Sequence, residues 1–259
     1  MTEILQHHED GILTLTFNRV ERKNSITVAM YDALATAFEQ TANDTETRVL
    51  VIQGHETIFS AGNDIADFRK DRPANKPAEN QKSPTSRFLY GIATYPKPVL
   101  AAVCGPAIGI GTTMLLHCDL VYAGDNAAFS MPFVNLGLCP EAASSLLVPR
   151  MFGYHRAAEA LLLGDPLSAE TAKAFGLVNR VVAPSECNAL TQAQARKLAA
   201  KPLSSLIVTK QLMKDGQQDA VRHQMDAEGA HFARLLSAPA AREAMTAFME
   251  KRKPDFSKC

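Results

Sequence analysis

The 259-residue sequence lacks the features that mark several broad classes of protein. No apolar run approaches the roughly 20 residues that a membrane-spanning helix needs. The first eight residues have neither the basic start nor the apolar middle of a signal peptide, so we expect a cytoplasmic protein with no membrane insertion. Lys and Arg number 27, and Asp and Glu also number 27. With no net charge of either sign, no nucleic-acid partner is expected.

Short signatures of metal, nucleotide and hydrolase sites are also missing. The five cysteines are an odd number at wide spacings, which is typical of free thiols in a reducing compartment. Neither a CxxC nor an HExxH pattern occurs, and no Gly-x-Ser-x-Gly or Gly-Lys-Ser/Thr sequence is present. A dinucleotide fingerprint beginning at Gly109 would need glycine where Met114 stands. We therefore expect no metal site and no nucleotide cofactor.

The composition that remains is that of an ordinary globular protein, with 46% apolar and 21% charged residues. Apolar β-branched runs at residues 49–52 and 98–103 predict buried strands. Apolar residues at four-residue intervals after Thr27 predict a helix to about Thr41, which Thr27 could cap. Strand-like and helical stretches alternate up to Pro149, and beyond it the pattern is helical only. The sequence therefore predicts a mixed α/β fold.

Breaks in this pattern predict how the chain is organised. Residues 69–87 carry an excess of four positive charges and three prolines with almost nothing apolar, which predicts a surface excursion. Helical segments separated by glycine and proline dominate the C-terminal part. We place a boundary between a core domain at residues 1–197 and a helical region at residues 198–259.

Two glycine-containing turns follow buried strands. Residues 59–65 read Phe-Ser-Ala-Gly-Asn-Asp-Ile, and residues 105–113 read Gly-Pro-Ala-Ile-Gly-Ile-Gly-Thr-Thr. Small residues let the backbone approach a ligand closely with unpaired N–H groups, and a helix beginning after the second turn would favour an anion. Each turn taken alone is more often only a tight turn. The two together indicate amide donors without a nearby nucleophile.

Glu141 is the one charged residue in the stretch 132–145. Because it follows Pro140, it could simply lie in the first turn of a helix, where the helix dipole stabilises a negatively charged side chain. Alternatively, burial among Leu138 and Leu146 would raise its pKa toward the working range of a general base. The residues alone leave both interpretations open.

Taken in order, these three segments resemble the crotonase (enoyl-CoA hydratase/isomerase) superfamily. The resemblance implies an α/β spiral of ββα turns followed by a C-terminal helical region, residues 198–259, through which trimers or pairs of trimers form. It also implies an acyl-CoA thioester substrate, so that coenzyme A is part of the substrate and no separate cofactor is needed. In the family the thioester oxygen accepts two backbone N–H bonds. By motif, the resemblance assigns these donors to Ala61 and Ile110.

Within the superfamily the carboxylates indicate the reaction. Typical hydratases carry two glutamates, at positions that read Thr113 and Phe133 here. The sequence most resembles the peroxisomal-type 3,2-trans-enoyl-CoA isomerases, whose single catalytic glutamate corresponds to Glu141. One carboxylate can move a proton from C2 to C4, which implies conversion of 3-enoyl-CoA to 2-trans-enoyl-CoA in fatty-acid β-oxidation. Hydration or another crotonase-type reaction, with Glu141 and a water or Asp64, and acyl-CoA binding without turnover stay open.

The resemblance also implies contacts with the acyl-CoA. The first turn is expected to border the pantetheine and adenine, with Lys23 near the nucleotide end, and apolar side chains are expected to keep water from Glu141. The expected substrate-binding residues are Lys23, Ser60, Ala61, Gly62, Asn63, Asp64, Ile65, Phe133 and Leu136. The last three residues read Ser-Lys-Cys, where a peroxisomal address would end in Leu. A peroxisomal location stays open for a eukaryotic source.

Overall fold

A computed structural model of the chain describes residues 2–65 and 82–259. Most of the surface excursion predicted at residues 69–87 lies outside the described residues. The described residues form two sheets with helices packed around them, so the predicted mixed α/β class and crotonase-like architecture are confirmed. None of the helices in these two ranges has the length and apolar character that crossing a membrane requires.

The bounds of the elements in the described part of the chain are as follows. The strands are β1 (Ile4–Glu9), β2 (Ile12–Phe17), β3 (Val49–Gln53), β4 (Val99–Val103), β5 (Pro106–Ile108), β6 (Leu120–Gly124), β7 (Ala128–Ser130), β8 (Leu167–Ser168) and β9 (Arg180–Val182). The α-helices are α1 (Val28–Thr41), α2 (Pro84–Thr94), α3 (Ile110–Thr113), α4 (Ser144–Phe152), α5 (Tyr154–Ala158), α6 (Ala169–Ala174), α7 (Pro184–Ala199), α8 (Leu203–Asp215), α9 (Gln218–Leu236) and α10 (Pro239–Met249).

The larger sheet has the strand order β1-β2-β3-β4-β6-β9. β1 and β2 form an antiparallel hairpin, and the remaining neighbours in the sheet are parallel. β3 and β4 are the buried strands that the sequence predicted, and helices cover both of their faces. Because parallel strands of this kind have no solvent face, their sequences are continuous apolar runs.

The two faces of the larger sheet belong to different clusters of apolar side chains. Leu50 and Ile52 point into the main core, which also contains Phe38 of α1. The alternating residues Val49 and Val51 point to the other face and pack with residues of α7. This alternation follows from the two-residue period of a strand. α1 begins after Thr27, whose hydroxyl accepts the N–H of Met30, so the predicted helix and its cap are confirmed.

The smaller sheet brings the two glycine turns together. β5 runs parallel to β7, and β8 pairs antiparallel with β7. Ser60 of the first turn forms a bridge with Ala107 of β5, and its carbonyl accepts the N–H of Ile108 at 2.9 Å. The backbones of the first and second turns are therefore joined directly by hydrogen bonds.

The prediction that only helices follow Pro149 is wrong in two places. β8 and β9 are short, partly exposed strands that pair with β7 and β6. Their conformation comes from these partners, because two or three half-exposed residues carry no periodicity of their own. α7 ends at Ala199, close to the boundary placed after residue 197, and the division of the chain there stays a prediction.

We expect Gly105→Ala to lower the free energy of unfolding by about 3 kcal/mol or more. Gly105 lies between β4 and β5 at a φ of +66°, and a Cβ there would stand 2.0 Å from the carbonyl oxygen of Thr57. The control is Gly91→Ala in α2, where a Cβ would meet only Phe38, at 3.7 Å. That change should raise stability by about 0.5–1 kcal/mol. Urea unfolding measures both variants, and equal stabilities would contradict the prediction.

Candidate active site

A cavity that opens to solvent, with about 650 Å³ of space including that opening, lies where the two glycine turns meet. All three segments that the sequence singled out contribute to its wall, together with one residue each from α9 and α10. The lining residues are Ala61, Gly62, Asn63, Ile65, Ile108, Gly109, Ile110, Pro132, Phe133, Leu136, Leu138, Phe232 and Met245. The cavity is therefore mostly apolar, and its polar groups are largely those of the backbone.

Asn24 holds the first glycine turn in place from outside the cavity. It is fully buried and adopts a left-handed conformation, with a φ of +50°. Its side-chain amide donates to the carbonyls of Ile58 and Phe59, at 3.2 and 3.1 Å, and its Oδ1 accepts the N–H of Arg19 at 2.8 Å. Its own carbonyl accepts the hydroxyl of Ser60 at 2.9 Å. A short turn about 35 residues earlier in the chain thus fixes the backbone of the candidate site.

The backbone N–H of Ala61 is not available to a ligand. It donates to the carbonyl of Lys23 at 2.9 Å, so the expectation that Ala61 is one of the two donors is wrong. The N–H of Gly62 is likewise used, since it donates to the hydroxyl of Ser60 at 3.1 Å. The N–H of Asn63, in contrast, has no hydrogen-bond partner in the part of the chain that the structure describes, and Asn63 lines the cavity.

The N–H of Ile110 is the second unpartnered donor at the cavity wall. Ile110 is the first residue of α3, and the N–H groups of a first helical turn have no partner within the helix. No other acceptor within residues 2–65 and 82–259 bonds to it. Asn63 and Ile110 therefore offer one free N–H from each glycine turn to the same cavity.

Two of the predicted substrate-binding side chains support the turn instead of lining the cavity. Ser60 is fully buried, and its hydroxyl bonds to both Asn24 and Gly62. The carboxylate of Asp64 pairs with the guanidinium of Arg19 at 2.8 Å. Both corrections have the same cause: the side chains already satisfy polar groups that the fold would otherwise leave unpaired.

Of the other predicted substrate-binding residues, most line the cavity and one is exposed at the surface. The structure places six of them around the cavity, namely Ala61, Gly62, Asn63, Ile65, Phe133 and Leu136. Lys23 is exposed, in a left-handed turn with a φ of +54°. Its contact with a nucleotide stays a prediction.

Glu141 lies in a turn and does not begin a helix, so that interpretation of its position is wrong. α4 starts only at Ser144, and between them Ala142 and Ala143 adopt left-handed conformations with φ of +60° and +56°. Glu141 is 8% exposed and lines a cleft of about 1220 Å³ that also opens to solvent. Phe232 lines both this cleft and the cavity between the glycine turns, so the two spaces are neighbours.

Two side chains from other parts of the chain hold the turn that carries Glu141. The Nε2 of His117 bonds to the carbonyl of Ala142 at 2.8 Å. Burial is the main reason that the pKa of His117 falls to about 4, so its ring is neutral and donates an N–H to this carbonyl. The carboxylate of Glu228 accepts the N–H of Ala143 at 2.6 Å.

The surroundings of Glu141 strongly favour its protonated form. Burial, and then the nearby Glu228 carboxylate, raise the pKa of Glu141 to about 8. Its Oε1 is buried and has no hydrogen-bond partner in the described ranges. Burial and the Glu141 charge also raise the pKa of Tyr31, whose hydroxyl donates to Oδ1 of Asn63 at 2.5 Å. Tyr31 thus bonds to the turn that offers a free N–H and is near enough to Glu141 for the charge of that carboxylate to affect its pKa.

Known proteins that are similar to this chain are enzymes named for acyl-CoA substrates. The profile of the family described as enoyl-CoA hydratase/isomerase matches residues 7–258. The 1,2-epoxyphenylacetyl-CoA isomerase of Escherichia coli K12 is 37% identical over 262 residues, which cover 99% of each chain. Enoyl-CoA delta isomerase 2 of Rattus norvegicus is 37% identical over 217 residues, which cover 83% of this chain and 55% of the rat protein. A crystal structure of an enoyl-CoA hydratase/isomerase from Pseudoalteromonas atlantica T6c has a TM-score of 0.92 at 37% identity, covering 99% of this chain and 100% of that one.

These relatives share a fold and acyl-CoA chemistry but not one reaction. Proteins named as a hydratase and as a dehalogenase are also similar to this chain. The bacterial isomerase and a mouse protein named enoyl-CoA delta isomerase 3, peroxisomal, match at the same 37% identity, so the comparisons do not single out the peroxisomal-type branch. The family match nevertheless spans nearly the whole chain. The chain belongs to the enoyl-CoA hydratase/isomerase family of acyl-CoA enzymes, within the crotonase superfamily.

Proposed function

We propose that the protein converts 3-enoyl-CoA to 2-trans-enoyl-CoA, with Glu141 carrying the proton from C2 to C4. The observation that carries this proposal is the buried carboxyl group of Glu141, in the cleft beside the cavity. The two positions at which hydratases carry glutamates hold Thr113 and Phe133, and both are buried. Neither can act as a carboxylate base, whereas adding water across a double bond calls for a base and an acid.

The thioester oxygen would accept the N–H groups of Asn63 and Ile110. Removing the proton from C2 moves negative charge onto this oxygen, and fixed donors stabilise that charge more than they stabilise the neutral thioester. In other enzymes the loss of one such donor costs about 3 to 4 kcal/mol of transition-state stabilisation. Asn63 takes the place that the sequence had assigned to Ala61, whose N–H is already bonded to Lys23.

Glu141 would act first as a base and then as an acid. Its ionised carboxylate takes the proton from C2, and the resulting carboxylic acid returns it to C4 of the dienolate. A pKa of about 8 makes Glu141 a stronger base than an exposed glutamate, and roughly a tenth of the molecules carry it ionised at pH 7 and can take the C2 proton. Phe133 and Leu138, at the wall of the adjoining cavity, exclude water that would otherwise hydrate the product.

A second candidate is the isomerisation of an epoxide-bearing aromatic acyl-CoA. The extent of the match favours it, since the E. coli 1,2-epoxyphenylacetyl-CoA isomerase is covered over 99% of its length and the rat isomerase over 55%. Offering 3-enoyl-CoA, 2-enoyl-CoA and 1,2-epoxyphenylacetyl-CoA to the same preparation separates the candidates. Faster turnover of 2-enoyl-CoA would indicate hydration instead of the proposed reaction. Faster turnover of 1,2-epoxyphenylacetyl-CoA would indicate epoxide isomerisation.

Glu141→Gln should lower kcat for 3-enoyl-CoA by a factor of roughly 100 or more, because an amide cannot take up the proton. The affinity for a non-reacting acyl-CoA, measured by calorimetry, should stay close to that of the wild type. The matched control is Asp219→Asn, which removes an exposed carboxylate of α9 that lines neither the cavity nor the cleft and should keep its activity. Undiminished turnover by Glu141→Gln would show that another group moves the proton.

Glu141→Gln should also make the protein more stable at neutral pH. The folded chain keeps the Glu141 proton up to about pH 8, whereas the unfolded chain loses it near the ordinary pKa of 4.5. Wild-type stability therefore falls as the pH rises from 4.5 to 8, because the unfolded state binds fewer protons there. Since the glutamine stays neutral, its advantage should be small at pH 5 and up to about 3 kcal/mol at pH 7. Urea unfolding at both pH values measures this, and a pH-independent difference would contradict it.

A further inference from the structure

Glu228 of α9 is a second buried carboxyl group beside Glu141, and the proposed mechanism gives it no step. It is 5% exposed and lines the same cleft as Glu141. Its Oε2 accepts the N–H of Ala143 at 2.6 Å, and its Oε1 accepts the N–H of Ser145 at 2.9 Å. The hydroxyl of Ser145 also donates to Oε1. Both carboxyl oxygens of Glu228 thus accept hydrogen bonds from residues at the start of α4.

These contacts fix the turn on which Glu141 depends. Ala142 and Ala143 both have positive φ, a conformation that costs energy for residues other than glycine. Such a turn persists only where surrounding groups hold it. Ala143 and Ser145 flank the first residue of α4, and the free N–H groups at a helix start stabilise a carboxylate in its charged form.

The hydrogen bonds of the two carboxyl groups are very unequal. Glu228 receives three donors, whereas Oε1 of Glu141 has none within the described residues. Two neighbouring carboxyl groups in a buried site do not both ionise freely, and the charge goes to the group with more donors. Burial also raises the pKa of Glu228, but its three hydrogen bonds act against that shift, so the pair has its negative charge on Glu228 and its proton on Glu141.

We propose that Glu228 is the positioning residue of this site: it holds the Glu141 turn through Ala143 and Ser145, and its charge keeps the proton on Glu141 in the resting protein. A carboxylate that regains its proton readily is a stronger base, and it retains the proton until C4 takes it. The inference rests on the proposed function of Glu141, but its test does not depend on turnover.

Other groups near Glu141 do not supply this charge. The titratable groups that face Glu141 or line its cleft in the described part of the chain, besides Glu228, are Tyr31, Tyr90, His117, Cys139 and Asp226. Burial keeps Tyr31 and His117 neutral, since it raises the pKa of the first and lowers that of the second to about 4. Burial likewise raises the pKa of the Cys139 thiol. Asp226 is exposed and accepts the hydroxyl of Tyr90.

The test is a pH titration of the Glu141 carboxyl carbon by NMR in protein with ¹³C-labelled glutamate, the signal being assigned by its loss in Glu141→Gln. The wild-type midpoint should lie near pH 8. Glu228→Gln keeps the size of the side chain and removes its charge, so the midpoint should fall by roughly one unit. It should stay above the ordinary 4.5, because burial is the larger cause of the shift. Asp226→Asn is the matched control on the same helix and should keep the wild-type midpoint.

An unchanged Glu141 midpoint in folded Glu228→Gln would overturn the inference. If that variant does not fold, Ser145→Ala serves instead, since it removes one donor to Glu228 and keeps both carboxyl groups. It should lower the Glu141 midpoint as Glu228→Gln does, but by less, and an unchanged midpoint would count against the inference.

The proposed function and the role of Glu228 can be contradicted separately. If the Glu141 midpoint depends on Glu228 but 3-enoyl-CoA is not converted, only the proposed function is contradicted. If 3-enoyl-CoA is converted but the Glu141 midpoint does not depend on Glu228, only the role of Glu228 is contradicted.

Discussion

The burial of one carboxyl group, whose Oε1 has no hydrogen-bond partner among the described residues, is the constraint around which this site is organised. Burial makes Glu141 hold its proton to about pH 8, and this costs folding stability at neutral pH. The turn around it is fixed by a neutral histidine, His117, and by the carboxyl group of Glu228. The same features that weaken the fold locally make the carboxylate a stronger base.

The other half of the site is backbone. Two turns of small residues lie side by side because Ser60 bridges to Ala107, and the N–H groups of Asn63 in the first turn and Ile110 in the second have no partner among the described residues. These donors are fixed before any ligand arrives, so they need no reorganisation when charge develops on a thioester oxygen. The apolar wall around them strengthens this effect, because electrostatic interactions are stronger where water is excluded.

Sequence patterns predicted elements whose signals are local. β3 and β4 were predicted from continuous runs of apolar residues. α1 was predicted from apolar residues at helical spacing after a capping threonine. β8 and β9 were missed, because they are strands only through their pairing with β7 and β6. The donor assigned to Ala61 failed for a similar reason, since a carbonyl 38 positions earlier, that of Lys23, takes its N–H.

The sequence by itself determined the kinds of groups present at the site: small residues in two turns, one carboxylate in an uncharged stretch, and Thr113 and Phe133 in place of further acids. Only the tertiary structure decided which N–H groups stay free and which carboxyl group keeps the proton. Glu228 stands 85 positions from Ala143 and nothing in its local sequence marks it. Burial and hydrogen bonding depend on partners that are distant along the chain, and these become neighbours only when the chain folds.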